Sequence, residues 1–436
     1  MRRTSKRRST TPVIGLAVMA ALLTGCGDGG TSASAPAGAR VDLASPVFSD
    51  PTKITNPLFP ISDLTQVVQL GVDEGQQLRV EITLLPERKT IEWGGQKIEA
   101  AVSQFVAFKD ATVAEIAHDF FAQADDGAVW YLGEDVANYK DGVVDTHEGT
   151  WLAGKDGPAG MIMPAKPKVG DVYRPENIPK LVFEEVIVRS TKTVDGPRGR
   201  VPGAIAVQER PMDGSREDKV FAPGYGEFEA KVEDSELLTL ALAVPVDAKG
   251  GEVPADLATL RAGAAEIFRS APSRDWAGLS DTVAGMTTAW ASHAGTGPPS
   301  LLAVQMSDAL AVLSAAVRAQ EPADVRQASV GVARAELDLS LQFQSPAEID
   351  LARVEVWGRK LIADAGASDT AGVVGNMAII DATWDRVDHA VTPSNRAALE
   401  AALVEVRGAA EAGNLPDAAA RAEALRQVIV EVRPAS

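Results

Sequence analysis

The sequence predicts an α+β protein of two domains: an antiparallel β-rich domain, built as a curved sheet or partial barrel, followed by an all-α bundle of helical hairpins. Three observations predict it. Before about residue 245, apolar side chains alternate with polar ones at the two-residue period of a strand. After about residue 254 they recur at spacings of three and four in an Ala-rich chain. Between the two, Asp247-Ala248-Lys249-Gly250-Gly251 reads as a small polar linker. The expected division is a β domain over 41–247 and a helical domain over 252–436, preceded by segments 1–25 and 26–40 that belong to neither.

The first of these segments has the zones of an export signal in order. Arg2, Arg3, Lys6, Arg7 and Arg8 form a basic stretch, and Val13 to Leu23 form an apolar run of about a dozen residues. That run suits a signal sequence and is too short to cross a hydrocarbon core of about 30 Å. Leu23, Thr24, Gly25 and Cys26 then match a lipobox, in which small residues admit the peptidase and the cysteine thiol accepts a diacylglycerol. Cleavage before Cys26 leaves that residue as the acylated N-terminus, a palmitate-type anchor at the extracytoplasmic face of the cell membrane. The paired arginines suggest twin-arginine export, but the residues after Arg3 and Arg8 fit that motif poorly, so the general secretory route is the expected one. Cys26 is the only cysteine, so the chain forms no internal disulfide. Gly27 to Arg40 is rich in Gly, Ser, Ala, Thr and Pro and reads as a flexible tether spanning roughly 20 Å.

The formal charge of -18 falls to about -23 once the five basic residues of the signal are removed. So acidic a chain is a poor partner for nucleic acid or for anionic lipid surfaces, and its membrane contact is expected through the covalent anchor.

In the β region, Gln77 to Leu85 sets Leu78, Val80, Ile82 and Leu84 on one face and polar residues on the other. Val113 to Ala122 and Ala128 to Leu132 read as strands around an Asp125-Asp126-Gly127 turn, and Asp141-Gly142 makes a second turn before Val143. Leu181 to Val188 and Ala204 to Gln208 add further strands. Several short stretches carry a resemblance: Asn56-Pro57-Leu58-Phe59-Pro60, Ala128-Val129-Trp130-Tyr131-Leu132-Gly133-Glu134-Asp135, Gly149-Thr150-Trp151, Met161-Ile162-Met163-Pro164, Val169-Gly170-Asp171-Val172-Tyr173 and Ala222-Pro223-Gly224-Tyr225-Gly226. On these, residues 50 to 230 resemble an uncharacterised family of exported bacterial β-rich proteins. The resemblance implies an extracytoplasmic β domain and brings no activity with it.

In the helical region, Ser345-Pro346-Ala347-Glu348 is a capping box with proline at the first helical position. Thr392-Pro393, Asn414-Leu415-Pro416 and Ser368-Asp369 mark further starts. Turns near Gln320, Ala367 and Gly413 divide Pro298 to Val432 into three helical hairpins, preceded by a helix or two from Ala255 to His293.

Chemistry is sparse. The chain has four histidines and no Gly-x-Ser-x-Gly elbow, and no catalytic residue is assigned. His118 and Asp119 are neighbours on a strand and face opposite ways. Asp125, Asp126, Glu134 and Asp135 read as a solvated turn, with calcium as the other reading. Asp385 and His389, four apart on a helix, together with His293, could ligate a metal. Phe120, Phe121, Trp130, Tyr131 and Trp151 gather aromatic surface that reads first as ordinary core, with the wall of an apolar pocket as the other reading if the sheet curves. The expected role is therefore non-enzymatic binding or scaffolding in the cell envelope, with an envelope protein or a small apolar ligand as partner and no cofactor beyond the acyl anchor. Metal handling is the alternative, and an envelope hydrolase the third reading.

Overall fold

The computed structural model describes residues 40–232 and 236–432. The expected export signal, the expected lipobox of Leu23, Thr24, Gly25 and Cys26, and the expected tether as far as residue 39 lie outside the described residues. Arg40, the last residue of the expected tether, already has fixed partners: it bridges to Val172 and its guanidinium holds Asp42.

The α+β layout is as the periodicities foretell. The strands are β1 (Gln66–Asp73), β2 (Gln76–Trp93), β3 (Gln96–Lys109), β4 (Thr112–Gln123), β5 (Val129–Lys140), β6 (Val143–Thr146), β7 (Trp151–Leu152), β8 (Gly160–Met163), β9 (Val172–Ile178), β10 (Val182–Gly196), β11 (Gly199–Pro211), β12 (Glu217–Ala222), β13 (Gly226–Val232) and β14 (Glu236–Val244). All join one antiparallel sheet in the order β6-β5-β4-β3-β2-β1-β14-β13-β12-β11-β10-β9, with β7 and β8 returning to β5. Two meanders of sequential hairpins are thus stitched together where β1 meets β14. The Asp141-Gly142 turn joins β5 to β6 with positive φ at both residues, 51° and 80°.

The sheet does not close by hydrogen bonds, but it curls hard. β8, bonded to β5, lies against β9 from the far end of the sheet. A Cβ on Gly160 of β8 would stand 1.6 Å from the Pro175 carbonyl of β9, so only glycine permits this approach. The curl gives the sheet an inside and an outside. Along β4, Ala117 and Phe121 pack inward, whereas Ile116 turns to the helices.

The helices cover the outer face: α1 (Ala255–Ser270), α2 (Trp276–Ala294), α3 (Ser300–Ala319), α4 (Pro322–Ser340), α5 (Pro346–Gly366), α6 (Thr370–Val387), α7 (Pro393–Glu411) and α8 (Leu415–Val432). They form four successive hairpins. Each hairpin turn carries one left-handed residue, Arg274, Gln320, Ser368 or Gly413. The capping box at Ser345 forms with both of its hydrogen bonds, and at the next hairpin turn Asp369 is the residue that caps α6. One core joins α1 to α4 with Val68, Leu242 and Val244 of the sheet, and a second joins α5 to α8 with Val106, Phe108, Val113 and Ile116. α4 and α5 are sandwiched between the sheet and the remaining helices, and even their charged residues Glu336, Asp338, Asp350, Arg353 and Glu355 are buried.

Candidate ligand groove

Between the outer face of the sheet and the α3–α4 hairpin runs a groove of 970 Å³. Its sheet wall is Leu70, Gly71 and Val72 of β1, Leu78 of β2, and Leu237 and Thr239 of β14. The helical wall is α3, from Leu301 to Ala319, with Ala328 and Gly331 of α4. Small side chains explain the space. Ala309, Ala315, Ala316, Ala319, Ala328 and Gly331 face it where larger residues would fill it, and a Cβ built on Gly331 meets nothing within 4 Å. Val72, Leu237, Val304 and Val312 are large apolar residues left exposed, and all four line this groove. α3 is as apolar as a membrane-crossing helix of its length, yet only 33% of its most apolar window is buried. A core helix of that composition would bury most of it. The apolar surface is therefore concentrated at one concavity rather than scattered.

Beneath the groove lies an ion-pair network between sheet and helices. The outward side chains of β2, Arg79 and Glu81, are sealed under α4, α5 and α6. Arg79 donates to both oxygens of Asp338, at 2.6 and 2.7 Å, and to Glu81 at 2.8 Å. Arg353 donates to Asp338 at 3.0 Å, to Asp350 at 2.8 Å and to the Gln66 side chain at 2.8 Å. Arg386 donates to Glu81 at 2.5 Å and to Gln104. Burial alone would raise Glu81, but Arg353, Arg79 and Arg386 outweigh it and hold its carboxyl well below the ordinary range.

Arg334 of α4 stands apart. It lines both the groove and a small chamber beneath it shared with Arg79, Asp338, Arg353 and Trp357. Its guanidinium lies over the Trp357 ring at 4.6 Å, and Trp357 in turn stacks on Phe108 at 5.5 Å. Among the described residues it has no hydrogen bond and no ion pair. Burial and then the neighbouring Arg79 cation lower it to about 10, so it stays charged at neutral pH.

Inside the curl, a line of buried carboxyls runs from Glu115 and Asp119 through Glu134 and Glu176 to Glu184 and Glu209. Asp119 and Glu134 are direct cross-strand partners. Tyr131 donates to Asp119 at 2.8 Å and the Trp151 indole to Glu176 at 3.1 Å. Burial pushes Glu115 and Glu176 up to about 8 and Asp119 up to about 7. Glu134 is raised further by burial and by Glu176, and Glu184 by burial and by Glu209. Glu184, Glu209 and Glu217 converge closely enough to share a cation. The Lys219 ammonium already stands among them, 2.7 Å from Glu209 and 3.5 Å from Glu217.

The structure places the residues singled out in the sequence as follows. Phe120, Phe121, Trp130, Tyr131 and Trp151 do come together, but as packed core of the curled sheet rather than as a pocket wall. Phe121 stacks on Tyr131 at 4.8 Å, Tyr131 meets Trp151 edge-on at 5.4 Å, and none of the five touches the groove. Barrel interiors of this width fill with side chains. Glu134 is not in a solvated turn: it is 1% exposed, because the period of β5 points it inward. His293 is buried in α2 beside Trp290, in the first helical core. Asp385 and His389 lie at and beyond the end of α6, facing solvent beside the second. The converging carboxylates contain none of these three. His118 and Asp119 face opposite sides of the sheet, and His147 is engaged by the Val136 carbonyl at 2.6 Å.

Arg334, which reads in the sequence as one more helical charge, was the residue most easily missed. The signal for it is local. Ser329 to Leu341 carries apolar residues in both helical phases, the pattern of a helix enclosed on nearly all sides, so Glu336 and Asp338 inside that run are buried and Arg334 is half-buried at the groove. No protein-family model and no curated protein matches the chain.

Proposed function

We propose that this is an exported, lipid-anchored binding protein that holds an elongated apolar ligand in the groove between sheet and α3–α4 and performs no chemistry on it. The observation that carries the reading is the groove itself: 970 Å³ of concave, mainly apolar space, bounded by the exposed valines of α3 and by exposed Val72 of β1 and Leu237 of β14. Pockets that take small ligands run from about 300 to 1,000 Å³ and combine apolar walls with a few fixed polar groups. Gln305, Gln327 and Arg334 supply such groups here. The envelope address rests on Leu23-Thr24-Gly25-Cys26 and on the resemblance of residues 50–230 to exported β-rich proteins. The sealed aromatic interior favours the groove over the inside of the sheet as the ligand's place.

Titration of the full chain carrying Cys26→Ser with an environment-sensitive apolar fluorophore tests the binding reading. Saturable enhancement in this chain, lost when Gly331→Leu is added, supports it. Enhancement that survives Gly331→Leu, or none in either, refutes it. The anchor is tested separately by palmitate labelling, which should mark the wild type and leave Cys26→Ala blank.

A further inference from the structure

Resting on that reading, we propose that the ligand is a long-chain monocarboxylate whose head pairs with Arg334 at the floor of the groove and whose hydrocarbon tail lies along α3 and β14.

The argument begins with charge. The network under the groove contains four guanidiniums, Arg79, Arg334, Arg353 and Arg386, and three carboxylates, Glu81, Asp338 and Asp350. Arg79, Arg353 and Arg386 each hold a carboxylate, which leaves one positive charge over, on Arg334. A half-buried cation without a counter-ion is incompletely solvated and unpaired, and its neighbour Arg79 makes the site still more receptive to an anion.

Geometry agrees. The face of the Arg334 guanidinium is taken by Trp357, at 4.6 Å, so what remains free is its edge, where the N–H donors form the fork that fits a carboxylate. A carboxylate supplies one negative charge, matching the excess of one. A phosphate monoester carries up to two and would overfill the site. At the mouth, Asp308 and Asp324 are both exposed. They disfavour an anionic head there and favour one drawn past them to the floor. Everything between mouth and floor that a ligand would touch is predominantly aliphatic, which selects a hydrocarbon tail.

The test uses the full chain with Cys26→Ser and reads Trp357 fluorescence, taken as the quenching that disappears in Trp357→Phe. α-Bromopalmitate carries its heavy atom beside the carboxylate and so beside Trp357. ω-Bromopalmitate carries it at the far end of the tail. The α-bromo acid is expected to quench Trp357 saturably, the ω-bromo acid to bind without quenching it, and the methyl ester of the α-bromo acid to bind at least about tenfold more weakly. Arg334→Gln should erase the preference for acid over ester, and Arg334→Lys should restore part of it. If acid and ester bind equally to the Arg334-containing chain, the head assignment is overturned while the apolar groove stands. Stronger quenching by the ω-bromo acid, or tighter binding of an alkyl phosphate, overturns it as well. If neither acid nor ester binds, the groove reading itself fails. The acid–ester comparison requires no substitution at Arg334, so a poorly folded variant does not blunt it.

Discussion

Raising the pH from about 5 to about 8 should destabilise this protein, and the buried carboxyls inside the curled sheet set the size of the effect. Glu115 and Glu176 are lifted from an ordinary 4.5 to about 8, and Asp119 from 3.8 to about 7, chiefly by burial. Glu134 and Glu184 are raised too. For a carboxyl raised in the folded state, the native chain holds a proton that the unfolded chain has already released. Stability is then full below the unfolded value and is lost as pH climbs through the folded one. One such group removes up to about 1.4 kcal/mol per pH unit, so Glu176 alone would remove on the order of 4 kcal/mol across the window. The five do not add, because each neutral neighbour eases the retention of charge on the next. His118 and His293, lowered by burial, act in the opposite sense near 6.5, two groups against five. Glu81 and Asp338, held low by their arginines, gain protons only at strongly acid pH and do not contribute in this window. Circular dichroism melts should therefore show Tm falling by on the order of 5–10 °C between pH 5 and pH 8. Glu176→Gln, which keeps an acceptor for the Trp151 indole, should flatten the slope. A Tm that is level or rises with pH, or a slope unchanged in Glu176→Gln, would refute the reasoning.

Further expectations concern the interface and the turns. Asp338→Asn removes the shared partner of Arg79 and Arg353 and should cost about 3–5 kcal/mol by denaturant titration; a loss under 1 kcal/mol would mean that water reaches the network. Gly142→Ala puts a Cβ 2.0 Å from the Ala371 carbonyl of α6 at a residue with φ of 80°, and should destabilise by more than about 1 kcal/mol, whereas Gly75→Ala, also at positive φ but with open space around it, should cost less. A Cβ at Gly331 meets nothing within 4 Å and the groove lies beyond it, so Gly331→Leu, which also improves helix propensity, should melt at or above the parent temperature even as ligand binding is lost. Ser345→Ala breaks the capping box of α5 and should cost about 1 kcal/mol.

The architecture was legible because it is written locally. Alternation at Leu78, Val80 and Ile82 gives a strand with an inside face, Asp141-Gly142 gives a hairpin, and Ser345 with Glu348 gives a helix start; each needs only its own neighbours in sequence. The groove was not legible, because its walls come from residues near 70, 237, 304 and 331, which only the β1–β14 pairing and the packing of α3 on β14 bring together. The polar face of β2 misleads for the same reason. Arg79 and Glu81 alternate with apolar residues as solvated positions do, and nothing in the strand reveals that Asp338, Arg353 and Arg386 arrive from more than 250 residues away to pair with them. The aromatic residues of β4 and β5 left two readings open in the sequence, an ordinary core or the wall of a pocket; the curl tightens until β8 meets β9, and the interior is filled.

Hydrogen–deuterium exchange on the full chain carrying Cys26→Ser, with and without palmitate, tests the central claim most directly, since it reports where a ligand sits rather than whether one binds. The expected result is slower exchange confined to α3, α4 as far as Arg334, the β1–β2 hairpin and the start of β14. Protection centred instead on β4, β5 and β8 around Trp130 and Trp151, or no protection at saturating palmitate, would contradict the account.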